Sequence, residues 1–371
     1  MPSSGSTSGK LPFGIARRAP LLLAVTLLAV LAACSAPGPR VKTAPPGGML
    51  LKGAGATLPA PLYAKWFDAY QQANPKHAVD YDPVGSGEGI RRFIGQNLQP
   101  GEQVDFGASD AALTDAQIAQ VPRGALLIPA TATGIVLAYN LPGLPGDLRL
   151  SRAAYAGIFR GDIKSWDDPR ITAANPGLKL PRLTIVTAVR QDSSGTTFAF
   201  TNHLCSISSA WHDAYGAATL INWPGTSMRG KGNERVAALV QTSLGSVGYV
   251  GLEFARKLGL KTALLENREG HFVRATDESV TTALASAQLP ENLRLFVPDP
   301  AGAGSYPIVT FSWVLLYRHY PDPARALALR DLFGWALSDG QTYARQLGYV
   351  PLPATVGFKA LDALNALAPA R

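Results

Sequence analysis

Short apolar runs of β character alternate with helix-period stripes along this 371-residue chain, and that alternation assigns it to the α/β class. The strand candidates are Gly134–Asn140, Leu183–Val189, Gly245–Val250 and Ile308–Tyr317. Leu62, Tyr63, Trp66, Phe67 and Tyr70 recur at helix spacing behind Pro59 and Pro61, and Ile90, Phe93 and Ile94 begin a second stripe. The length suffices for two lobes, each with its own core. Hydrophobic content of 47% against 16% charged residues excludes a disordered chain. In α/β sheets ligands gather at the carboxyl ends of strands, so the turns after the strands are where function is to be sought.

The most informative turn is Arg190-Gln191-Asp192-Ser193-Ser194-Gly195-Thr196-Thr197, which follows the Leu183–Val189 run and precedes a helix-capable run through Phe200 and Leu204. A helix start offers unpaired N–H groups and partial positive charge, Gly195 allows close backbone approach, and Ser194 and Thr196 add hydroxyl donors. Arg190 adds a permanent charge in a planar fork suited to an oxyanion. A Ser-capped helix beside a surface arginine explains this segment equally well. Three further turns tip the balance: Gly53-Ala54-Gly55-Ala56-Thr57-Leu58-Pro59, Val84-Gly85-Ser86-Gly87-Glu88-Gly89, and Asp105-Phe106-Gly107-Ala108-Ser109-Asp110. Each alone is ordinary capping chemistry. Together they read as one convergent anion site. The first is no dinucleotide loop, since it lacks G-x-G-x-x-G and carries prolines.

The remaining chemistry-bearing residues exclude several classes. Five histidines (His77, His203, His212, His271, His319) are dispersed, no zinc spacing is met, and Ser194 and Thr196 have no evident histidine partner. No metal and no organic cofactor are expected. Basic residues are scattered without a basic helix, so nucleic acid is excluded as a partner. Of the two cysteines, Cys205 falls in a helical run and reads as a buried small hydrophobe.

The other cysteine, Cys34, closes a targeting segment. Lys10, Arg17 and Arg18 precede an apolar run, Leu21–Ala33, too short for a comfortable membrane span. Leu31-Ala32-Ala33-Cys34 resembles the lipobox of bacterial lipoproteins, which implies cleavage before Cys34 and lipid on its thiol; an ordinary signal peptide with a coincidental cysteine is the alternative. Cleavage removes three cations and no acid, so the net charge of +8 falls to +5. Ser35 rather than aspartate follows, which in a host with two membranes resembles the outer-membrane sorting pattern. Residues 34–49, rich in Pro and Gly, read as a tether that spans roughly 50 Å when extended.

The four turns, in this order, closely resemble those of the phosphate-specific substrate-binding proteins of bacterial ABC uptake systems. Further matches are Ile158–Asp168, Asn175–Pro181, and Gly232-Asn233-Glu234 leading to Gly245–Val250. The resemblance runs from about residue 53 to the C-terminus. It implies a type II-like periplasmic-binding-protein fold: two α/β lobes with a ligand cleft between them, joined by crossing strands near residues 139–141 and 308–311. Lobe I would comprise residues 50–139 and 311–371, and lobe II residues 140–310. Carried over position by position, the resemblance implies phosphate contacts from Thr57, Leu58, Ser86, Asp110, Arg190, Ser194, Gly195 and Thr196, with Asp192 steadying Arg190. Leu58 and Ser193 depart from the usual phenylalanine and glycine, and a β-carbon at Ser193 matters only where φ is positive. The implied partners are inorganic phosphate, the permease and ATPase subunits of an ABC transporter, and a membrane through the lipid anchor. The implied state is a monomer outside the inner membrane, with no catalysis.

Asp110 would make such a site selective. A carboxylate repels a dianion unless a proton lies between them. Phosphate carries one near neutral pH and sulfate carries none. Sites that demand a ligand hydrogen reject analogues lacking it by about 10⁴ or more. Without the resemblance, Ser109-Asp110 before Ala111–Gln117 reads as a helix cap. The competing readings are the same fold holding sulfate, molybdate or a phosphonate, a phosphomonoesterase, and a phosphate sensor or structural envelope lipoprotein.

Overall fold

A computed structural model describes Gly9, residues 42–286 and residues 288–367. The expected signal segment, Cys34 and the first part of the tether lie outside the described residues. The chain opens with β1 (Met49–Gly55), α1 (Ala60–Ala73), β2 (His77–Asp82), α2 (Ser86–Ile94), β3 (Phe106–Ser109), α3 (Asp115–Ala119) and the long β4 (Ala125–Tyr139). It continues through β5 (Arg149–Leu150), α4 (Arg152–Arg160), α5 (Pro169–Thr172), β6 (Val186–Arg190), α6 (Gly195–Ile207), α7 (Ser209–Tyr215), β7 (Ser227–Gly230), α8 (Gly232–Thr242), β8 (Ser246–Gly251) and α9 (Leu252–Lys257). Then come β9 (Lys261–Thr262), β10 (Leu264–Glu266), β11 (Phe272–Val273), α10 (Asp277–Ala285), β12 (Val309–Tyr317), α11 (Pro323–Leu337), α12 (Gln341–Gln346) and α13 (Ala354–Asn365).

The main sheet runs β2-β1-β3-β12-β4-β8-β6-β7, with β9 against the end of β4. It consists of two parallel wings, β2-β1-β3 and β8-β6-β7, joined through the antiparallel strands β12 and β4. The arrangement is the two-lobed α/β fold expected. Each wing has its own aromatic core: Tyr63, Phe67, Phe106 and Phe333 in the first, and Phe159, Phe200, Trp211 and Tyr249 in the second. The α1 stripe forms because Leu62, Tyr63, Trp66, Phe67 and Tyr70 fall on one buried face behind a proline in the first turn.

β4 carries both wings. Ala125–Gly134 pairs with β12 and Ile135–Tyr139 pairs with β8, so the change of partner falls at Gly134/Ile135. All fifteen residues of β4 are buried, which removes the polar alternation that would mark its start or its handover in the sequence. Pro129 lacks an N–H for the ladder, and the register slips by one residue opposite it, between Ser312 and Trp313. Residues 289–294 already lie on the first wing: Lys359 Nζ donates to Leu289 O (2.9 Å), Trp313 Nε1 to Leu293 O (2.8 Å) and Arg294 Nη1 to Leu113 O (3.0 Å). Residues 298–305 then return to the second wing, where Arg152 grips Asp299 and Asn267 Nδ2 donates to the carbonyls of Gly302, Ala303 and Ser305, so only the change of partner within β4 comes ahead of the position expected for it, 139/140. The expected tether is also shorter at its end, because Lys42 Nζ donates to Val79 O (3.0 Å) and β1 begins at Met49. Leu183–Ile185 stays outside β6, with only a bridge from Thr184 to Ser165.

Candidate functional site

The carboxyl ends of β1, β3, β6 and β7 and the starts of α2, α6 and α8 meet between the wings. Thr57 and Leu58 follow β1 and lead into α1. Ser86 begins α2 and is buried; its Oγ accepts from Asp110 N (3.2 Å). Gly85, with φ +102°, supplies the left-handed turn before it, and a β-carbon there would fall 2.5 Å from Asp192 Oδ2.

Asp110 lies just past β3 and is 1% exposed. Its Oδ1 accepts from Ser312 Oγ on β12 (2.6 Å). Burial pushes its carboxyl up to about 7, against the pull of the Ser312 hydroxyl, the Arg190 charge and Ser86. Asp110 does not cap a helix: α3 starts at Asp115, and Thr114 caps it in a reciprocal box with Gln117. The carboxylate is therefore left for another use.

Arg190 ends β6 and is 2% exposed. Its Nε donates to Asp192 Oδ1 (2.8 Å) and its Nη2 to Asp192 Oδ2, a bidentate grip that fixes the guanidinium plane. Asp192 Oδ1 also accepts from Gly232 N (3.0 Å). Burial alone would raise the Asp192 carboxyl, but Arg190 more than offsets that and holds it below its ordinary value. Arg190 Nη1 reaches Thr196 Oγ1 (3.5 Å), and its backbone N–H donates to the Tyr249 hydroxyl (3.1 Å).

Ser194 caps α6 by accepting from Thr197 N (3.2 Å), so its hydroxyl is engaged within the helix start. Gly195 is the point of closest approach: a β-carbon there would stand 2.6–2.7 Å from the backbone and Cβ of Asp110. The start of α6 therefore abuts the backbone and Cβ of Asp110 across the cleft. Ser193 is not in the positive-φ region, where among the described non-glycine residues only Asn97 and Leu293 lie, so its β-carbon is tolerated. Its carbonyl accepts from Gly87 N (3.1 Å), one of the bonds that join the wings. The buried Leu58 packs with its Cδ1 toward Gly251, and its carbonyl accepts from Tyr349 OH (2.7 Å).

The structure thus brings Thr57, Leu58, Ser86, Asp110, Arg190, Asp192, Ser194, Gly195 and Thr196 to one cleft. It adds residues given no role from sequence. Asn233, fully buried at the start of α8, bridges Thr57 and Thr196. Ser312 holds Asp110. Glu253 in α9 is also buried; its Oε2 accepts from Thr133 Oγ1 (2.7 Å), its Oε1 has no partner among the described residues, and burial pushes it up to about 8. Gly232-Asn233-Glu234 already stood out in the sequence, but nothing local gave Asn233 a task. Cys205 is half-buried rather than buried, and burial raises its thiol. Among the described residues no group of three His, Cys, Asp or Glu side chains is placed to hold a metal, and no helix is long and apolar enough to cross a membrane.

The arrangement presents one guanidinium, several helix-start N–H groups and hydroxyls, and one buried carboxylate to a small space. It offers charge and donors to an anion, and one acceptor to a proton on that anion.

Comparison with known proteins agrees. A family model described as a PBP superfamily domain matches residues 35–339. The phosphate-binding protein PstS of Pasteurella multocida is 38% identical over 309 residues, covering 82% of this chain and 87% of that protein. PstS of Methanocaldococcus jannaschii is 35% identical over 346 residues, covering 86% and 87%. A solved phosphate-binding protein from Stenotrophomonas maltophilia superposes with a TM-score of 0.68 at 20% identity, over 85% of this chain and 93% of that one, a likeness of fold.

Proposed function

The chain belongs to the PstS family of phosphate-binding proteins within the PBP superfamily, and on that footing we propose how it works. It captures inorganic phosphate for an ABC phosphate transporter. Thr57, Leu58, Ser86, Arg190, Ser194, Gly195 and Thr196 donate to the anion, Asp110 accepts its proton, and Asp192 holds Arg190 in plane. The observation that carries this assignment is the convergence of Arg190 and the starts of α2 and α6 on the buried Asp110, whose carboxylate Ser312 orients.

The two wings act as lobes about β4 and the run into β12, and phosphate favours the closed arrangement because only there does it contact both sides at once. Asn233 to Thr57, Gly87 to Ser193 and Gly195 against Asp110 are the protein's own contributions to closure. No chemistry is done on the ligand: the one cleft hydroxyl that donates to a carboxylate, Ser312 to Asp110, serves to orient that carboxylate, and the relatives are binding proteins. The protein acts outside the inner membrane as a monomer, anchored by lipid on Cys34 where the host processes the lipobox. Its partners are the permease and ATPase subunits, which read the closed form.

The test is reconstitution of those subunits in proteoliposomes. Phosphate-loaded protein should stimulate ATP hydrolysis and phosphate uptake above the level with phosphate-free protein. Equal activity with both forms would refute delivery, and release of chromophore from a phosphate ester would refute the non-enzymatic assignment.

A further inference from the structure

Asn233 does more than fill space. Its Oδ1 accepts from Gly251 N (3.3 Å), so the amide has one orientation; turned over, it would set Nδ2 against that N–H. With the oxygen so engaged, Nδ2 faces Thr57 Oγ1 (3.1 Å) and Thr196 Oγ1 (3.1 Å) at once. Thr57 Oγ1 accepts a second bond from Asn233 N (3.3 Å), and Thr196 Oγ1 a second from Arg190 Nη1 (3.5 Å).

A hydroxyl has two acceptor positions and one proton. In both threonines the acceptor positions are occupied, and neither proton is donated to any protein acceptor among the described residues. We propose that Asn233 is a positioning residue that, by donating to both hydroxyls, commits the protons of Thr57 and Thr196 to the bound anion. Thr57 comes from the first wing while Asn233 and Thr196 come from the second, so the Thr57 proton is committed only as the wings meet. The side of the cleft lined by the two threonines thereby demands oxygens that accept and carry no proton. The proton-bearing oxygen is left to Asp110. This inference rests on the phosphate-capture reading.

A double-mutant cycle on the full chain tests it, with phosphate titrated calorimetrically into wild type, Asn233→Ala, Thr57→Val/Thr196→Val, and the triple variant. Asn233→Ala should weaken phosphate about ten-fold in the wild-type background and less than two-fold once the hydroxyls are gone. The same loss in both backgrounds would mean that Asn233 only supports the fold, and would overturn the proposal. Should Asn233→Ala not fold, as judged by its thermal midpoint, Asn233→Asp serves in the same cycle. It keeps the size and the Gly251 bond but accepts from the hydroxyls, and its added charge acts in both backgrounds and cancels in the comparison. Its loss must shrink when the hydroxyls are removed, and an unchanged loss refutes the assignment. Wild type that binds no phosphate would overturn the phosphate reading itself, and this inference with it.

Discussion

Asp110→Asn separates two ways in which an acidic side chain can treat a tetrahedral anion. Phosphate brings its own proton and meets the ionised carboxylate. Sulfate brings none, so it binds well only when Asp110 supplies the proton. Burial sets the Asp110 carboxyl at about 7. Its protonated fraction therefore falls from roughly one half at pH 7 to about one hundredth at pH 9, a factor of about 50. The ionised fraction that serves phosphate doubles over the same range, so the sulfate-to-phosphate affinity ratio of the wild-type protein should fall by about 100. Asparagine carries a permanent N–H donor and no titrating proton, and its Oδ1 can still accept from Ser312. The variant should bind sulfate better than wild type at pH 9, and its ratio should not change with pH. The assay is competition of sulfate against phosphate at pH 7, 8 and 9 and constant ionic strength. A wild-type ratio independent of pH, or a variant that keeps the wild-type slope, would refute the proton-sharing role.

Three further outcomes are expected. Arg190→Ala should weaken phosphate binding by about 2–5 kcal/mol, because it removes a buried charge and leaves Asp192 unpaired; calorimetric titration reads this directly. Gly195→Ala should cost more than ten-fold in phosphate affinity with the fold retained, since the added methyl falls 2.6–2.7 Å from Asp110; an unchanged affinity would show that α6 need not approach so closely. Glu253→Gln should change how stability depends on pH. The folded carboxyl sits at about 8 against an ordinary 4.5, so the wild-type protein binds an extra proton on folding between those values and loses stability as pH rises through them. The variant should be close to wild type in relative terms near pH 4 and gain on it by about 3 kcal/mol by pH 7, visible as diverging thermal midpoints.

The sequence announced those parts of the cleft whose chemistry is local. Arg190, Asp192 and Ser194 lie within one strand–turn–helix unit, and the guanidinium grip and the Ser194 cap follow from that unit alone. The α1 stripe was legible because one face is buried and the other wet. β4 was legible only in its last third, since both of its faces are buried and Pro129 reads as a breaker. Asn233, Ser312 and Glu253 could not be assigned from pattern. Each is an ordinary residue for its helix or strand and acquires its partner only when segments distant in the chain meet, through bonds that span 120 to 202 residues in the case of Glu253 and Ser312. The cap reading of Asp110 failed for the opposite reason: a better local cap, Thr114 with Gln117, lies four residues on.

The central claim is that this cleft captures phosphate and refuses sulfate. The most direct test is isothermal titration of the phosphate-free protein with phosphate at pH 8.5, alone and with millimolar sulfate in the cell. One phosphate should bind per chain, with an affinity that sulfate leaves unchanged. No heat with phosphate, or an affinity that falls in proportion to the sulfate present, would contradict it.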